Sequence, residues 1–249
     1  MNKRPWLLRA SGEFFVIVVG VLLALTLDGW MQTREDRLRE SAYLSAVVAE
    51  LQSHIADFES SLMGNEVAHT ALERARQLHR DGQHSDSARV FIANLVEALT
   101  FLGMPTVSTA VYDDLVNTGN IGLIRDEVAR RTILEAYSST EASVERLSIA
   151  EAAIRPGLNA LVSRYLPPNT VSRGTEVFAV RISEDSADMP ALRAAAEGIG
   201  RDEAFKSEMN AEYRRLERAR QQLARYVELS HVYLDRLESD ISTVESGSG

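Results

Sequence analysis

The chain has 249 residues, of which 45% are hydrophobic, and it carries a formal net charge of −9 and no cysteine. This length can hold one sizeable domain, or two small ones, beyond a membrane anchor. The acidic balance, with no Lys/Arg run or basic patch between aromatic residues, argues against a nucleic-acid-binding protein. Lack of cysteine excludes disulfides, thiolate metal sites and cysteine nucleophiles.

The most apolar part of the sequence is residues 12–31. Within it, residues 14–27 carry no charge, and Thr26 is the one polar side chain. That run extends only ~21 Å as a helix, but Trp6 and Trp30 would lie ~36 Å apart, with one tryptophan near each headgroup layer. The sequence therefore predicts a transmembrane anchor over residues 12–31, called the anchor segment below.

Two alternatives to an anchor remain open. A cleaved signal peptide needs small residues at the −3 and −1 positions; Ala24 and Thr26 fit best, and threonine is a poor −1 residue. An apolar run this short also occurs in the buried core helices of soluble proteins. The tryptophans on both flanks favour the uncleaved span over either alternative.

One side of the predicted anchor helix carries acidic and small residues. At about 100° per residue, Glu13, Gly20, Ala24 and Asp28 share an arc of roughly 80°. Carboxylates are costly in lipid and small residues allow close helix approach, so we expect this side to face a protein neighbour. Alternatively, both acids lie at the membrane surface, with Glu13 paired to Arg9.

The basic residues beside the anchor bear on its orientation. Three lie on each side of it: Lys3, Arg4 and Arg9 before, and Arg34, Arg37 and Arg39 after. A short basic tail, here residues 1–11, normally stays in the cytoplasm. We therefore expect a single-pass protein of the bacterial inner membrane, with a cytoplasmic N-terminus and a periplasmic domain over residues 32–245. Residues 246–249 read as a flexible tail or a cloning remnant.

The chain after the anchor has the pattern of a long helix. Apolar residues recur there at alternating intervals of four and three: Leu44, Val48, Leu51, Ile55, Phe58 and Leu62. This pattern, without Pro or Gly after Trp30 to break it, predicts that the anchor helix continues to about His79. Because Asn65 and His69 then enter the repeat, packing in a bundle is favoured over an extended coiled coil.

Residues 79–86 predict a turn. The segment contains His79, Asp81, Gly82, His84 and Asp86. Two histidines and two carboxylates can bind zinc, but their spacing matches no metal-site motif. We expect a solvated turn in which Gly82 ends the helix, and we assign no metal or cofactor to the chain.

The next part of the sequence predicts a short helix and then a long one. A compact apolar helix is predicted over 88–102. The short helix runs over 110–117 and ends at Gly119, which suits the left-handed cap conformation. Asp126 is placed to cap a helix that continues through 154. The polar residues around these helix ends are Asp113, Asp114, Asn117 and Asn120, and we expect them to satisfy backbone groups rather than form a site.

The remaining chain predicts two more helices and an irregular region. Pro156 is expected to kink the long helix, which should stop near Tyr165. Residues 176–183 can form a short strand, although no second strand is visible to pair with it. A short helix is predicted from Pro190 to about 198, and a long one from Asp202 to about 244, with an apolar stripe on one side.

Two parts of the chain carry a family resemblance. The first is the anchor pattern, Gly12-Glu13, an apolar run and Asp28-Gly29-Trp30. The second is a set of residues between 112 and 124: Tyr112, Leu115, Gly119, Asn120, Leu123 and Ile124. Over residues 12–52 and 106–138 the chain resembles a family of uncharacterised bacterial single-span membrane proteins, whose shared domain has no known function. The resemblance implies an N-terminal membrane helix and a helical domain, without an activity, cofactor or catalytic residue.

These observations predict an all-α protein, a bundle of long antiparallel helices tethered by one N-terminal membrane helix. No HExxH, GxSxG, phosphate loop or GxGxxG motif is present, so we do not expect an enzyme. We expect an accessory or scaffold subunit that contacts the lipid bilayer and a protein partner, or further copies of itself. The alternative is a ligand-binding sensor module that signals through a separate protein.

Overall fold

The computed structural model describes residues 4–100, 104–152, 156–166, 171–173, 180–182 and 189–246. Side chains are described over 18–99, 104–149, 157–166 and 189–242. The described helices are α1 (Arg4–Arg80), α2 (Ala88–Thr100), α3 (Ala110–Asn117), α4 (Glu127–Ala152), α5 (Pro156–Tyr165), α6 (Met189–Arg201) and α7 (Phe205–Ser246), with a 3-10 helix at Asn120–Leu123. The predicted all-α class is confirmed.

One helix, α1, carries the chain from the anchor segment to the far end of the bundle. The prediction of a single helix reaching about His79 is confirmed, since α1 ends at Arg80. Its buried positions follow a heptad pattern over more than four repeats: Leu44, Val47, Leu51, His54, Phe58, Ser61, Asn65, Ala68, Leu72 and Ala75. The predicted stripe placed Val48 and Leu62 in the core, but both are half-buried, and Val47 and Ser61 lie in the seam instead. The repeat looked shorter in the sequence because polar residues, His54, Ser61 and Asn65, occupy core positions of this seam.

The other long helix, α7, runs antiparallel to α1. Across the pair, Gln52 faces Glu238 and His69 faces Glu217, so high numbers in one helix meet low numbers in the other. The half of the bundle nearer the anchor segment is completed by α3 and α4, which pack on Leu44–Leu51 of α1. The far half is completed by α2, α5 and α6 around Ala68–Ala75.

The core is divided along the bundle axis. The near cluster contains Leu115, Ile124, Ile133 and Leu237, and the far cluster is built on aromatic and aliphatic side chains of α2, α5, α6 and α7. Between them a smaller cluster joins Phe58, Leu147, Leu223 and Tyr226. The long helices α1 and α7 contribute to all three clusters, so they act as the spine of the domain.

Several local predictions are confirmed. Gly82 and Gly119 have φ of 70° and 74°, the left-handed conformation that glycine adopts without strain. Asp126 caps α4, since its Oδ1 accepts hydrogen bonds from the amides of Val128 (2.7 Å) and Ala129 (2.9 Å). The helices predicted to end at Tyr165 and to begin at Pro190 match α5 and α6 closely.

Two elements differ from the prediction. The strand expected within 176–183 is β2 (Val180–Ile182), and it does have a partner, β1 (Val171–Arg173), in antiparallel register with Val171 opposite Ile182. Three-residue strands are too short for alternating hydrophobicity to show the partner in the sequence. The last helix begins at Phe205 rather than Asp202, because Asp202 caps it from outside by accepting the amide of Ala204. The predicted kink at Pro156 falls on residues 153–155, outside the described residues.

Among the helices that the structure describes, none has an apolar stretch long enough to cross a membrane. The side chains of residues 4–17, which include the first part of the anchor segment, lie outside the described set. Side chains of the anchor segment are described from Val18 onward.

Candidate functional site

The described part of the anchor segment is exposed on every side of α1. All residues from Val18 to Arg34 are solvent-exposed, and none packs against the bundle. Leu22 and Leu25 are 56% and 62% exposed, and at about 100° per residue the apolar side chains between Val18 and Leu27 cover the full circumference of the helix. A helix that is apolar all round is typical of one surrounded by lipid or protein.

The residues predicted to face a protein neighbour lie on this exposed segment. Gly20, Ala24 and Asp28 are all exposed, and a Cβ placed on Gly20 would meet nothing within 4 Å. Trp30 is 61% exposed and lies 5.8 Å from the guanidinium of Arg34, a cation–π pair one turn away. The side chains of Glu13 and Trp6, the other members of the prediction, lie outside the described residues.

Residues 81–87, between α1 and α2, form a turn, as predicted, and His84 in this turn lies beside His79 in the last turn of α1. The rings of His79 and His84 are 5.3 Å apart, and His79 packs edge-on against Phe205 at 5.0 Å. Burial lowers the pKa of His79 below its ordinary value, with further repulsion from His84 and Lys206. Within the part of the chain that the structure describes, no group of three or more His, Asp or Glu side chains is placed to hold a metal.

A buried polar network that the sequence did not reveal joins α1, α4 and the segment before α3. The carboxylate of Glu50 accepts hydrogen bonds from the hydroxyl of Tyr137, the hydroxyl of Ser108 (3.0 Å) and the amide of Val111 (3.3 Å). His54 donates from Nε2 to the carbonyl of Ser108. Three donors thus converge on one carboxylate in the core, which holds the extended segment against α1.

Glu50, His54 and Tyr137 of this network are buried, whereas Ser108 lies at the surface. Burial, reinforced by the Glu50 carboxylate, raises the pKa of Tyr137 far above its ordinary value. The ring of Tyr112 stacks on that of Tyr137 at 4.4 Å, and His54 approaches the same ring edge-on at 5.8 Å. Because the polar groups pair with one another beneath aromatic rings, the arrangement suits a structural clamp better than a reaction centre.

A second pair of polar groups lies deeper along α4. The hydroxyls of Thr140 and Tyr226 are hydrogen-bonded, and Tyr226 stacks on Phe58 at 3.7 Å. Burial raises the pKa of Tyr226. This contact joins α4 to α7 in the middle cluster.

The polar residues around Gly119 have a different role from the one predicted. Asn120 donates to the hydroxyl of Tyr43 (2.7 Å), and Tyr43 donates to Asp114 (2.7 Å). The amide of Arg125 donates to Glu40 at 2.6 Å. The prediction that Asp114 and Asn120 satisfy backbone groups is therefore wrong: they bind α1 at Tyr43. Asp113 accepts from the hydroxyl of Thr109 (2.8 Å), and Asn117 is exposed.

The contacts of Glu40 and Tyr43 form a polar collar at the near end of the domain, and beyond it α1 leaves the bundle.

No family model, curated protein or solved structure matched the chain. The family resemblance seen in the sequence stays a prediction, and the functional argument rests on the molecule itself.

Some of the residues missed in the sequence carried a signal. Glu50 and His54 are four apart on the edge of an apolar helical stripe, a spacing that brings both side chains to one side of α1. Their partners Ser108 and Tyr137 are more than 50 residues away, and nothing local in the sequence points to them. The exposed apolar segment, in contrast, was visible from composition alone.

Proposed function

We propose that this protein is a membrane-anchored interaction protein, an accessory or scaffold subunit of an inner-membrane assembly. In this proposal residues 12–31 cross the bilayer, the N-terminus is cytoplasmic, and the helical domain lies in the periplasm. The domain is not an enzyme. Its task is to hold a folded surface at a fixed height above the membrane and to present it to a protein partner.

The observation that carries the proposal is the exposure of the anchor segment. Burying a leucine side chain contributes about 1.5–3 kcal/mol, so a helix that exposes apolar side chains on all faces is strongly driven into another apolar phase. The sequence extends this apolar surface through Phe14–Ile17, on a helix that begins at Arg4. From Phe14 to Met31 the helix is ~27 Å long, close to the hydrocarbon thickness of a bilayer.

The interior of the domain supports an interaction role rather than catalysis. Its most concentrated set of polar groups consists of the buried residues Glu50, His54 and Tyr137 and the exposed Ser108, which are linked by hydrogen bonds. Buried polar groups paired in this way fix one packing arrangement of the helices. The polar collar at Tyr43 has the same effect where α1 leaves the domain.

Orientation is tested with reporter fusions after Gly249. We expect a reporter active only in the periplasm to work there, and a reporter active only in the cytoplasm to remain silent. The reverse pattern would overturn the proposed topology while leaving the anchor intact. If both the protein and its reporter stay in the soluble fraction, the anchor itself is disproved.

The interaction role is tested by two neighbouring substitutions in the anchor. Gly20→Leu adds bulk on the small-residue side of the helix, whereas Val19→Leu adds it about 100° away. Since close van der Waals packing drives helix association in lipid, Gly20→Leu should reduce the native assembly in mild detergent and Val19→Leu should not. Equal retention of the assembly by both variants would contradict an interface at Gly20.

A further inference from the structure

Four aromatic rings pack in a circle at the end of the bundle that lies farthest from the anchor segment, and two of them are histidines. The ring centre of His79, in the last turn of α1, lies 5.3 Å from that of His84 in the turn and 5.0 Å from that of Phe205 at the start of α7. Phe91 of α2 completes the circle, 5.8 Å from His84 and 5.9 Å from Phe205. We call these residues the four-ring cluster.

The two histidines form the outer layer of the four-ring cluster. Phe91 and Phe205 are fully buried, whereas His79 and His84 are half-buried. His84 also packs closely on α6, because a Cβ on Gly200 would lie 2.4 Å from its Nε2 atom. The two histidine rings therefore cover the phenylalanines and join the turn to the ends of α6 and α7.

The inner nitrogen of each histidine lacks a hydrogen bond. The Nδ1 atoms of His79 and His84 are both buried, and within the described part of the chain neither has a donor or an acceptor as a partner. A buried polar atom without a partner is uncommon in folded proteins and costs stability. Two such atoms in one small cluster call for an explanation.

The other three histidines of the chain, His54, His69 and His231, each have an oxygen atom next to a ring nitrogen. The oxygen belongs to a backbone carbonyl for His54 and to a glutamate for the other two, at 3.4 Å and 3.6 Å. An oxygen in this position stabilises the protonated imidazole. His79 and His84 lack one, so a proton on either ring is poorly accommodated in the folded chain.

Carboxylates near the four-ring cluster do not compensate for a charge on it. Among the described residues, the contacts within 4 Å between a histidine nitrogen and a carboxylate are those of His69 and His231. Glu197 is paired with Arg201, and Asp202 accepts a hydrogen bond from Tyr165. The acidic residues on the elements that pack around the four-ring cluster are Asp81, Asp86, Glu197, Asp202 and Glu203.

Positive charge beside the four-ring cluster acts against protonation. The basic residues on the same elements are Arg80, Arg89, Arg201 and Lys206. Arg80 and Arg201 are paired with glutamates of their own helices. Burial lowers the pKa of His79 below its ordinary value, and repulsion by His84 and Lys206 lowers it further. The stability that the neutral ring provides is thus complete above the ordinary pKa of histidine, about 6.5, and is lost as the pH falls below it.

We propose that His79 and His84 form an acid-sensitive latch: as neutral rings they hold the turn against α6 and α7, and their protonation in mild acid separates these elements. Two positive charges at this distance repel each other, and each charged ring is better solvated when it turns into water. Phe91 and Phe205 then lose the rings that cover them. Acid thereby makes the surface at the far end of the domain more apolar, and this effect does not depend on the proposed membrane anchoring.

Hydrogen exchange of the full chain in mild detergent tests the latch at about pH 7.5 and pH 5.5, with correction for the direct effect of pH on exchange. The backbone amides of residues 81–91 and 199–206 should lose protection about tenfold at the lower pH, the ratio that corresponds to one unit of pKa. Amides of residues 129–137, in the near half of the bundle, should keep theirs. Equal loss in both halves, or no loss at the far end, would overturn the proposal.

A carboxylate placed beside the latch provides a second test. Lys206→Glu replaces a repelling ammonium with a group that stabilises protonated His79, so it should remove most of the loss of protection at low pH. Arg214→Glu makes the same change of charge at another exposed position of α7 and should behave like the parent chain. Both substitutions are at the surface and leave the core intact. The same loss of protection in the two variants would contradict the latch.

Removing both histidines separates the latch from a general effect of acid. His79→Gln with His84→Gln cannot take up a proton, so protection of the far end should be the same at the two pH values. His69→Gln with His231→Gln should lose protection as the parent does. A loss in acid that persists without His79 and His84 would disprove the latch, and if that variant does not fold, the comparison of Lys206→Glu with Arg214→Glu decides.

Discussion

Two regions of the same helix, α1, have opposite relations to the rest of the molecule. From Leu44 to Ala75 a heptad seam is buried against α2, α4 and α7, and it includes the polar residues His54, Ser61 and Asn65. From Val18 to Leu38 nearly every side chain is exposed, although most of those up to Met31 are apolar. The buried seam thus includes three polar residues among its apolar ones, whereas the exposed region is mainly apolar up to Met31.

The difference shows which part of α1 finds packing partners within its own chain and which part does not. Beside the buried seam, Glu50 and Nε2 of His54 find their hydrogen-bond partners on α4 and on the segment at the start of α3, within the same chain. Along the exposed region the domain provides nothing, and the collar at Tyr43 marks the boundary between the two. The exposed region therefore has to find its surroundings in another phase or another molecule.

The largest effect is expected when the exposed region is made polar. An arginine near the centre of a membrane helix costs about 3 kcal/mol, so Leu22→Arg with Leu25→Arg should abolish membrane retention. The control is Leu38→Arg with Met63→Arg, two equally exposed positions on α1 outside the anchor, which should leave retention unchanged. Both pairs are scored by the fraction of protein that stays with membranes after alkaline extraction. Equal behaviour of the pairs would contradict anchoring.

Removing the carboxylate of Glu50 should destabilise the buried region. Glu50→Ala removes the acceptor of the buried Tyr137 hydroxyl and of the half-buried Val111 amide, and it also removes the contact with the exposed Ser108. We expect a loss of about 3 kcal/mol in the free energy of unfolding, read as a fall of roughly 10 °C in the melting temperature. Glu66→Ala, an exposed glutamate on the same helix, should change it by less than about 0.5 kcal/mol. A similar small change in both variants would mean that the network does not hold the domain.

The stability of the far end of the domain should depend on pH through His79. The folded pKa of His79 lies below its ordinary value, so the unfolded chain binds a proton here more readily than the folded one. The stability it contributes is present above the ordinary pKa of histidine, about 6.5, and is lost as the pH falls below it. The melting temperature should therefore fall less between pH 7 and 5 in His79→Gln than in the parent chain. His231→Gln, at an exposed position, should follow the parent; identical falls in all three would refute a role for His79.

The smallest expected effect lies at the boundary between the two regions. Gly119 has a φ of 74° and Gly122 does not have a positive φ, while a Cβ on either would meet nothing within 4 Å. Gly119→Ala should thus cost about 1 kcal/mol through backbone strain alone, and Gly122→Ala close to nothing. Thermal melts of the two variants give the difference. Equal stability would show that the loop adjusts its backbone without loss of the contacts at Tyr43.

The parts of the fold that sequence reasoning found are those determined locally. The Asp126 cap, the Gly119 turn and the unbroken course of α1 each depend on residues within a few positions of one another. Helix periodicity also located most of the core on α1 and α7. The apolar surface of the anchor segment was visible because it depends on composition rather than on contacts.

The parts that were missed depend on contacts between distant residues. Glu50 and Tyr137 are 87 positions apart, and Tyr43 and Asn120 are 77 apart. A glutamate beside an apolar stripe is usually solvated, so its burial becomes visible only when three donors converge on it. His54 of the heptad seam was missed for the same reason, since its partner Ser108 is 54 positions away.

The central claim, that α1 passes from lipid to water between the anchor and the domain, is tested most directly by thiol labelling of intact membranes. Leu22→Cys lies in the anchor on the side opposite Gly20, and Ser41→Cys lies beyond the anchor, next to the collar; both positions are exposed on the folded chain. A membrane-impermeant maleimide, added from the periplasmic side, should label Ser41→Cys fully. Leu22→Cys should be labelled only after the membrane is dissolved and the protein denatured. Equal labelling of the two thiols in intact membranes would contradict the account.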